Sequence, residues 1–115
     1  MRVLREFKDG WNGKRALCIL FGDGPGPEGE LVRIVATPRN GFVDLWYIRS
    51  YEPGNGHARI VYEYLFSRFG PIHACDVVGE GVAFNALMKD RGFVREIEIT
   101  KQNEQEVAVQ GIRLK

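Results

Sequence analysis

Neither sign of charge dominates this 115-residue chain, in which 16 Lys and Arg stand against 15 Asp and Glu for a formal net charge of +1. Without a charged block there is no electrostatic footprint for a polyanion, so nucleic acid is not an expected partner. Long apolar runs are lacking too. The N-terminus Met1-Arg-Val-Leu-Arg-Glu6 has no apolar core of a signal peptide, and no stretch approaches the length that spans a bilayer. The expectation is a soluble, cytoplasmic protein with no membrane partner. Cysteine is scarce. Cys18 and Cys75 each sit in an apolar, strand-like run, where a thiol reads as a small buried hydrophobe rather than a disulfide partner or metal ligand. Repeats and low-complexity tails are absent. Glycine is plentiful at 14 residues, and it falls between periodic segments, where it punctuates short elements.

With 44% hydrophobic residues, the chain has enough apolar material for one compact domain over 1–115 and too little length for two. The first half reads as a meander of short strands: Arg2–Phe7, a turn through Asp9–Gly13, Arg15–Phe21, a loop over Gly22–Glu30, Leu31–Ala36 and Phe42–Ile48. Asn40-Gly41 predicts a tight reversal with positive φ, hence an antiparallel pair around it. The loop Gly22–Glu30 resembles a nucleotide fingerprint on the surface. Pro25 and Pro27 remove N–H donors, however, and no helical pattern follows, so it reads as an exposed loop.

The second half changes period. Ala58, Val61, Leu65 and Phe69 keep one helix face over His57–Phe69, which Gly70-Pro71 ends. Ile72–Val78 is an apolar run of strand length. A second helix over Val82–Arg91 places Val82, Ala83, Ala86 and Leu87 on one side and stops at Gly92, a left-handed cap. Phe93, Ile97 and Ile99 then alternate, and Val107, Val109, Ile112 and Leu114 return as the partner strand of a terminal hairpin with a bulge at Gly111.

The most informative stretch runs from Ile48 to Tyr62, where a strand hands over to a helix through Gly54, Asn55 and Gly56. Successive backbone N–H groups in such a turn converge on anionic oxygens, and the helix dipole adds favourable potential. The expected guest is a phosphorylated cofactor.

The order strand, Gly-rich turn, helix, strand, short helix, Gly-Phe, hairpin resembles the GNAT superfamily of acyl-CoA N-acyltransferases, over roughly Asp44 to Phe93. That family's pyrophosphate loop follows Gln/Arg-x-x-Gly-x-Gly/Ala. Pro53-Gly54-Asn55-Gly56-His57-Ala58 matches it at Gly56 and Ala58, with Pro53 in the Gln/Arg position. The family's second mark, Tyr-x-x-x-Gly-Phe, is met by Met88-Lys-Asp-Arg-Gly92-Phe93, with Met88 in place of the tyrosine that protonates the departing thiolate. A thioether has no proton to donate.

The resemblance implies an α+β fold with a mixed, mostly antiparallel central sheet of six to seven strands and two helices, lacking the usual N-terminal helix pair. It implies acetyl-CoA as cosubstrate, bound by Ile48, Ser50, Gly54, Asn55, Gly56, His57, Ala58 and Arg59. In that family the strand before the cradle splays from its neighbour, so the backbone near Tyr47, Ile48 and Ser50 pairs with the pantetheine arm. The implied activity is N-acetyl transfer to a primary amine, a protein lysine or N-terminus among them. The rival implication is a non-catalytic interaction or inhibitor protein of the same fold, with or without bound CoA, for which Met88 and Pro53 speak. An exposed edge of the N-terminal meander invites a homodimer.

Two carboxylates are candidates for taking the proton of the attacking ammonium. Asp44 lies on the strand face of Ile48 at about 13 Å, a separation that demands a water relay. Its competing role is a surface carboxylate paired with Arg39 or Arg49. Asp76 lies within the apolar run Ile72–Val78, where partial desolvation suits proton abstraction, and its competing role is a hydrogen-bonded acid at a strand end. Arg59 adds charge near a phosphate, whereas His57 reads as a solvated imidazole of the first helical turn. Trp46, Tyr47, Phe42 and Tyr51 either line a channel or fill the core. Tyr62 and Tyr64 fall on different helix faces, and neither replaces the missing acid.

Overall fold

The computed structural model describes residues 1–23 and 29–99. Its elements follow in the order β1 (Arg2–Trp11), β2 (Lys14–Gly22), β3 (Glu30–Pro38), β4 (Val43–Ser50), α1 (His57–Phe69), β5 (Ile72–Val77), α2 (Gly81–Asp90) and β6 (Val94–Ile99). The six strands form one mixed sheet in sequence order. β1 to β4 pair antiparallel, whereas the β4–β5 and β5–β6 pairs, each joined through a helix, are parallel. The fold is therefore α+β, with two helices among the described residues. The tip of the Gly22–Glu30 loop and the returning strand Val107–Leu114 with its Gly111 bulge lie outside the described residues.

The first hairpin is longer than the apolar pattern predicts. Asn12 and Gly13 both take positive φ, 49° and 76°, a reversal whose twist suits two right-twisted strands. The ladder accordingly runs on to Trp11↔Lys14, past the expected strand end at Phe7. Between β3 and β4 the expected reversal forms, with Gly41 at φ 85° and the Arg39 N–H donating to the Phe42 carbonyl at 2.8 Å.

One face of the sheet carries both helices. Ile19, Phe21, Val32, Ile34, Ala36, Val43, Leu45, Ile72, Ala74 and Val77 project from the strands into a core shared with Val61, Tyr62 and Leu65 of α1 and with Val82 and Met88 of α2. Three of the four residues predicted for the inner side of α2 are not fully buried: Ala83 and Leu87 are exposed and Ala86 is half-buried. The helix instead buries Val82, Asn85 and Met88. A polar residue claims the central position because it is fully partnered there: Tyr62 Oη donates to Asn85 Oδ1 at 2.7 Å, and Asn85 Nδ2 donates to the Gly81 carbonyl at 2.8 Å. Both helix ends are as expected. Gly70 (φ 102°) receives the end of α1, while Gly92 (φ 89°) lets the Phe93 N–H reach back to the Met88 carbonyl.

Candidate functional site

β4 carries an irregularity that sets the site. Leu45 pairs with Ala36 and Tyr47 with Val35, so Trp46 is an extra residue without a partner in the β3 ladder. A bulge of this kind bends its strand and steepens the local twist. Pairing with β5 ends at the same place: the parallel ladder holds Val43↔Ile72, Asp44↔His73 and Leu45↔Ala74 and goes no further, although β4 continues to Ser50 and β5 to Val77. Beyond Leu45, β4 has no strand on that side among the described residues. The gap is a cleft of about 280 Å³ lined by Trp46, Tyr47 and Ile48 on one wall and by Cys75, Asp76 and Val77 on the other, with Tyr62 and Asn85 beneath. Burial pushes the Tyr62 hydroxyl well above its ordinary range, partly opposed by its bond to Asn85, so it stays neutral and its proton is committed.

β4 leads from the cleft into the turn before α1. Gly54 and Gly56 adopt φ 91° and 77°, the left-handed region that glycine enters without strain. A Cβ on either would meet nothing within 4 Å, so the space against both residues is open. Gly56 caps α1 with no side-chain hydrogen bond, and the first turn of the helix carries no acidic residue. Asn55 Nδ2 contacts Glu52 Oε1 at 3.5 Å, and Arg59 pairs with Glu63 at 3.7 Å, both partners about half exposed. His57 departs from the solvated imidazole that the sequence suggests: it is half-buried, and its Nδ1 is buried without a hydrogen-bond partner.

Asp44 has the Arg39 partner expected of its competing role, but neither carboxylate has the surroundings expected of a proton acceptor. Asp44 is not on the face of Ile48. The Trp46 bulge reverses the parity between them, so Ile48 pairs with core-facing Ile34 and packs against the core, while Asp44 pairs with Thr37 on the face turned away from the helices. Nor is Asp44 a surface group: it is 6% exposed, with Oδ2 2.7 Å from Arg39 Nε and Oδ1 2.9 Å from His73 Nδ1. Asp76 lines the cleft but is exposed, with φ 52° where β5 leaves its ladder, so the desolvation expected of it does not occur. The two carboxylates do not share one site.

The apolar count of Ile72–Val77 passes over His73 and reads Cys75 as a buried hydrophobe with no ligand role, yet the two residues share one polar environment. The strand alternates, and Ile72 and Ala74 face the core while His73 and Cys75 share the other face, beside Asp44. Asp44, His73 and Glu96 form one cross-strand row. His73 Nε2 lies 3.4 Å from Glu98 Oε2 and 3.8 Å from Glu96 Oε2. The signal that marks them is the H-x-C spacing itself, two polar-capable side chains on one face of a buried strand.

The same face holds a polar and aromatic cluster around the bulge. Trp46 Nε1 donates to Thr37 Oγ1 at 2.8 Å, Lys14 Nζ sits 4.3 Å from the Trp46 ring, and Trp11 and Tyr47 meet at 5.5 Å. Trp46 and Tyr47 are thus cleft walls rather than members of the core. Comparison with known proteins finds no family model, no curated protein and no solved structure that matches the chain, so its function rests on its own geometry.

Proposed function

We propose that the chain is a small GNAT-like N-acetyltransferase that passes acetyl from acetyl-CoA to a primary amine. The observation that carries this reading is the parting of β4 from β5 at the Trp46 bulge, with the open turn Gly54–Gly56 at the end of the freed strand. An extended, amide-bearing arm finds backbone donors and acceptors at Ile48 and Ser50, whose N–H and C=O groups point away from β3, as an added strand does. A pyrophosphate finds the N–H groups of Asn55 to Ala58 and the positive end of α1, with Arg59 nearby. The space before both glycines and the unpartnered, buried Nδ1 of His57 fit an anionic guest.

Acetyl-CoA, when bound, supplies an activated thioester. The chain's part is alignment of the amine against it and exclusion of water by the aromatic wall of Trp46 and Tyr47. Asp76 is the carboxylate in reach of the cleft for the proton of the ammonium, and Asp44, held by Arg39 and His73, is not free for that task. Met88, in the place of the family's tyrosine, is a thioether buried in the core, so α2 offers no acid at that position, and the proton for a departing thiolate would come from solvent.

The burial of Met88 favours one second reading, a non-catalytic protein that binds CoA in the same cleft. Release of free thiol from acetyl-CoA, followed with and without a panel of amines and lysine peptides, separates the two. Acceptor-dependent release supports transfer; tight binding with no release by any acceptor supports the second reading.

A further inference from the structure

We propose that Asp44, His73 and Cys75 form a binding site for a thiophilic divalent metal ion, zinc being the physiological candidate. This goes beyond acyl transfer and stands without it. One ligand atom from each residue lies within 4.8 Å of the others. Zinc holds Cys sulfur at about 2.3 Å and His nitrogen or carboxylate oxygen at about 2.0–2.2 Å, which places neighbouring ligand atoms about 3.3–3.7 Å apart in a tetrahedron. Asp44 Oδ1 and His73 Nδ1, now 2.9 Å apart, need only open slightly. The ligand set of thiolate, imidazole and carboxylate is one that zinc accepts readily, leaving a fourth position for water.

What surrounds the three residues fits a cation independently. His73 presents Nδ1 to the site, and its other ring nitrogen faces the Glu98 carboxylate at 3.4 Å, the arrangement in which metal-bound histidines donate their second N–H to a carboxylate. Glu96 adds a second negative group at 3.8 Å from the same nitrogen. Arg39 holds the far oxygen of Asp44 at 2.7 Å and so aims Oδ1 inward. The strands fix all of this, since Asp44, His73 and Glu96 are register neighbours and Cys75 follows His73 on the same face. On binding, the Cys75 thiol loses its proton to solvent, and the proton between His73 Nδ1 and Asp44 Oδ1 gives way to the metal, with Nε2 keeping or gaining the proton that faces Glu98.

The test is titration of the metal-free, reduced protein with cobalt(II) in place of zinc. The expected result is one ion per chain with a thiolate-to-cobalt charge-transfer band, displaced by zinc. The band persists in Cys18→Ser, vanishes in Cys75→Ser, and requires at least about tenfold more cobalt in His73→Ala and Asp44→Asn; Glu98→Gln weakens binding about 10- to 100-fold. Absence of a charge-transfer band, or a band that survives Cys75→Ser, overturns the proposal. If Cys75→Ser does not fold, alkylation of the unaltered protein decides: zinc protects Cys75 and leaves Cys18 at its metal-free rate, and equal protection of both thiols or of neither overturns the site.

Discussion

The Tyr62 hydroxyl donates to Asn85 Oδ1 across 2.7 Å and ties the middle of α1 to the middle of α2 beneath the cleft. Both side chains are buried, Tyr62 wholly so. Tyr62→Phe keeps the ring and its edge contact with Phe84 but leaves the Asn85 oxygen without its donor. The expected cost is about 1–3 kcal/mol, read as a lower urea midpoint with an unchanged slope. A midpoint equal to that of the unaltered protein would show that water takes over the bond and that the helix pair does not depend on it.

Gly70 and Gly54 share positive φ but not surroundings. A Cβ at Gly70 would come within 2.6 Å of the Gly41 carbonyl oxygen, whereas one at Gly54 would meet nothing within 4 Å. Gly70→Ala is expected to destabilise by more than about 2 kcal/mol, because backbone must move, and Gly54→Ala by about 1 kcal/mol, for φ alone. Thermal unfolding of the two variants side by side reads the difference, and equal losses would contradict the close packing of the β3–β4 turn on the end of α1.

Arg68, in the last turn of α1, reaches β1 through a two-pronged pair with Glu6, one prong at 2.9 Å. The hydrogen bond from Arg68, more than its charge alone, holds the Glu6 carboxyl below the usual carboxylate range despite partial burial. A depressed folded pKa contributes stability that is full above the unfolded value, about 4.3, and is lost as pH falls through the folded value. Both side chains are about a third exposed, so solvent screening keeps the contribution near 0.5 kcal/mol. Glu6→Gln is expected to be less stable than the unaltered protein at neutral pH and equal to it once Glu6 is protonated. A gap of the same size at both pH values would assign the loss to packing.

The two acids are expected to separate on different readouts. Asp44→Asn removes the charge that holds Arg39 and His73, so it lowers stability by about 1–3 kcal/mol. Asp76→Asn touches an exposed group and leaves stability within about 0.5 kcal/mol while slowing acetyl transfer. An Asp76→Asn variant with undiminished turnover over the pH range would remove Asp76 from the role of base.

Periodicity was enough to read most of this architecture. Ala58, Val61 and Leu65 mark α1, and the Gly-Pro pair after Phe69 ends it as expected. The β3–β4 reversal at Asn40-Gly41 was equally plain. The candidate site was less legible, because one extra residue at Trp46 inverts which side chains share a face, and neither Leu45-Trp46-Tyr47 nor its neighbours carry a glycine or proline to announce a bulge. Simple alternation therefore puts Asp44 on the face of Ile48, whereas the bulge puts it beside His73. Asn85 was hidden for another reason: a buried polar side chain breaks an apolar count, and only its bond to Tyr62, 23 positions away in sequence, explains it.

The proposed reading places an acyl-CoA in the cleft between β4 and β5 and against the turn at Gly54–Gly56. Calorimetric titration with acetyl-CoA tests it most directly, on the unaltered protein and on Gly56→Val shown by circular dichroism to be folded. Saturable heat at one ligand per chain, abolished in Gly56→Val, is the expected result. No heat at high ligand, or equal affinity in both proteins, would rule out acyl-CoA binding at this cleft.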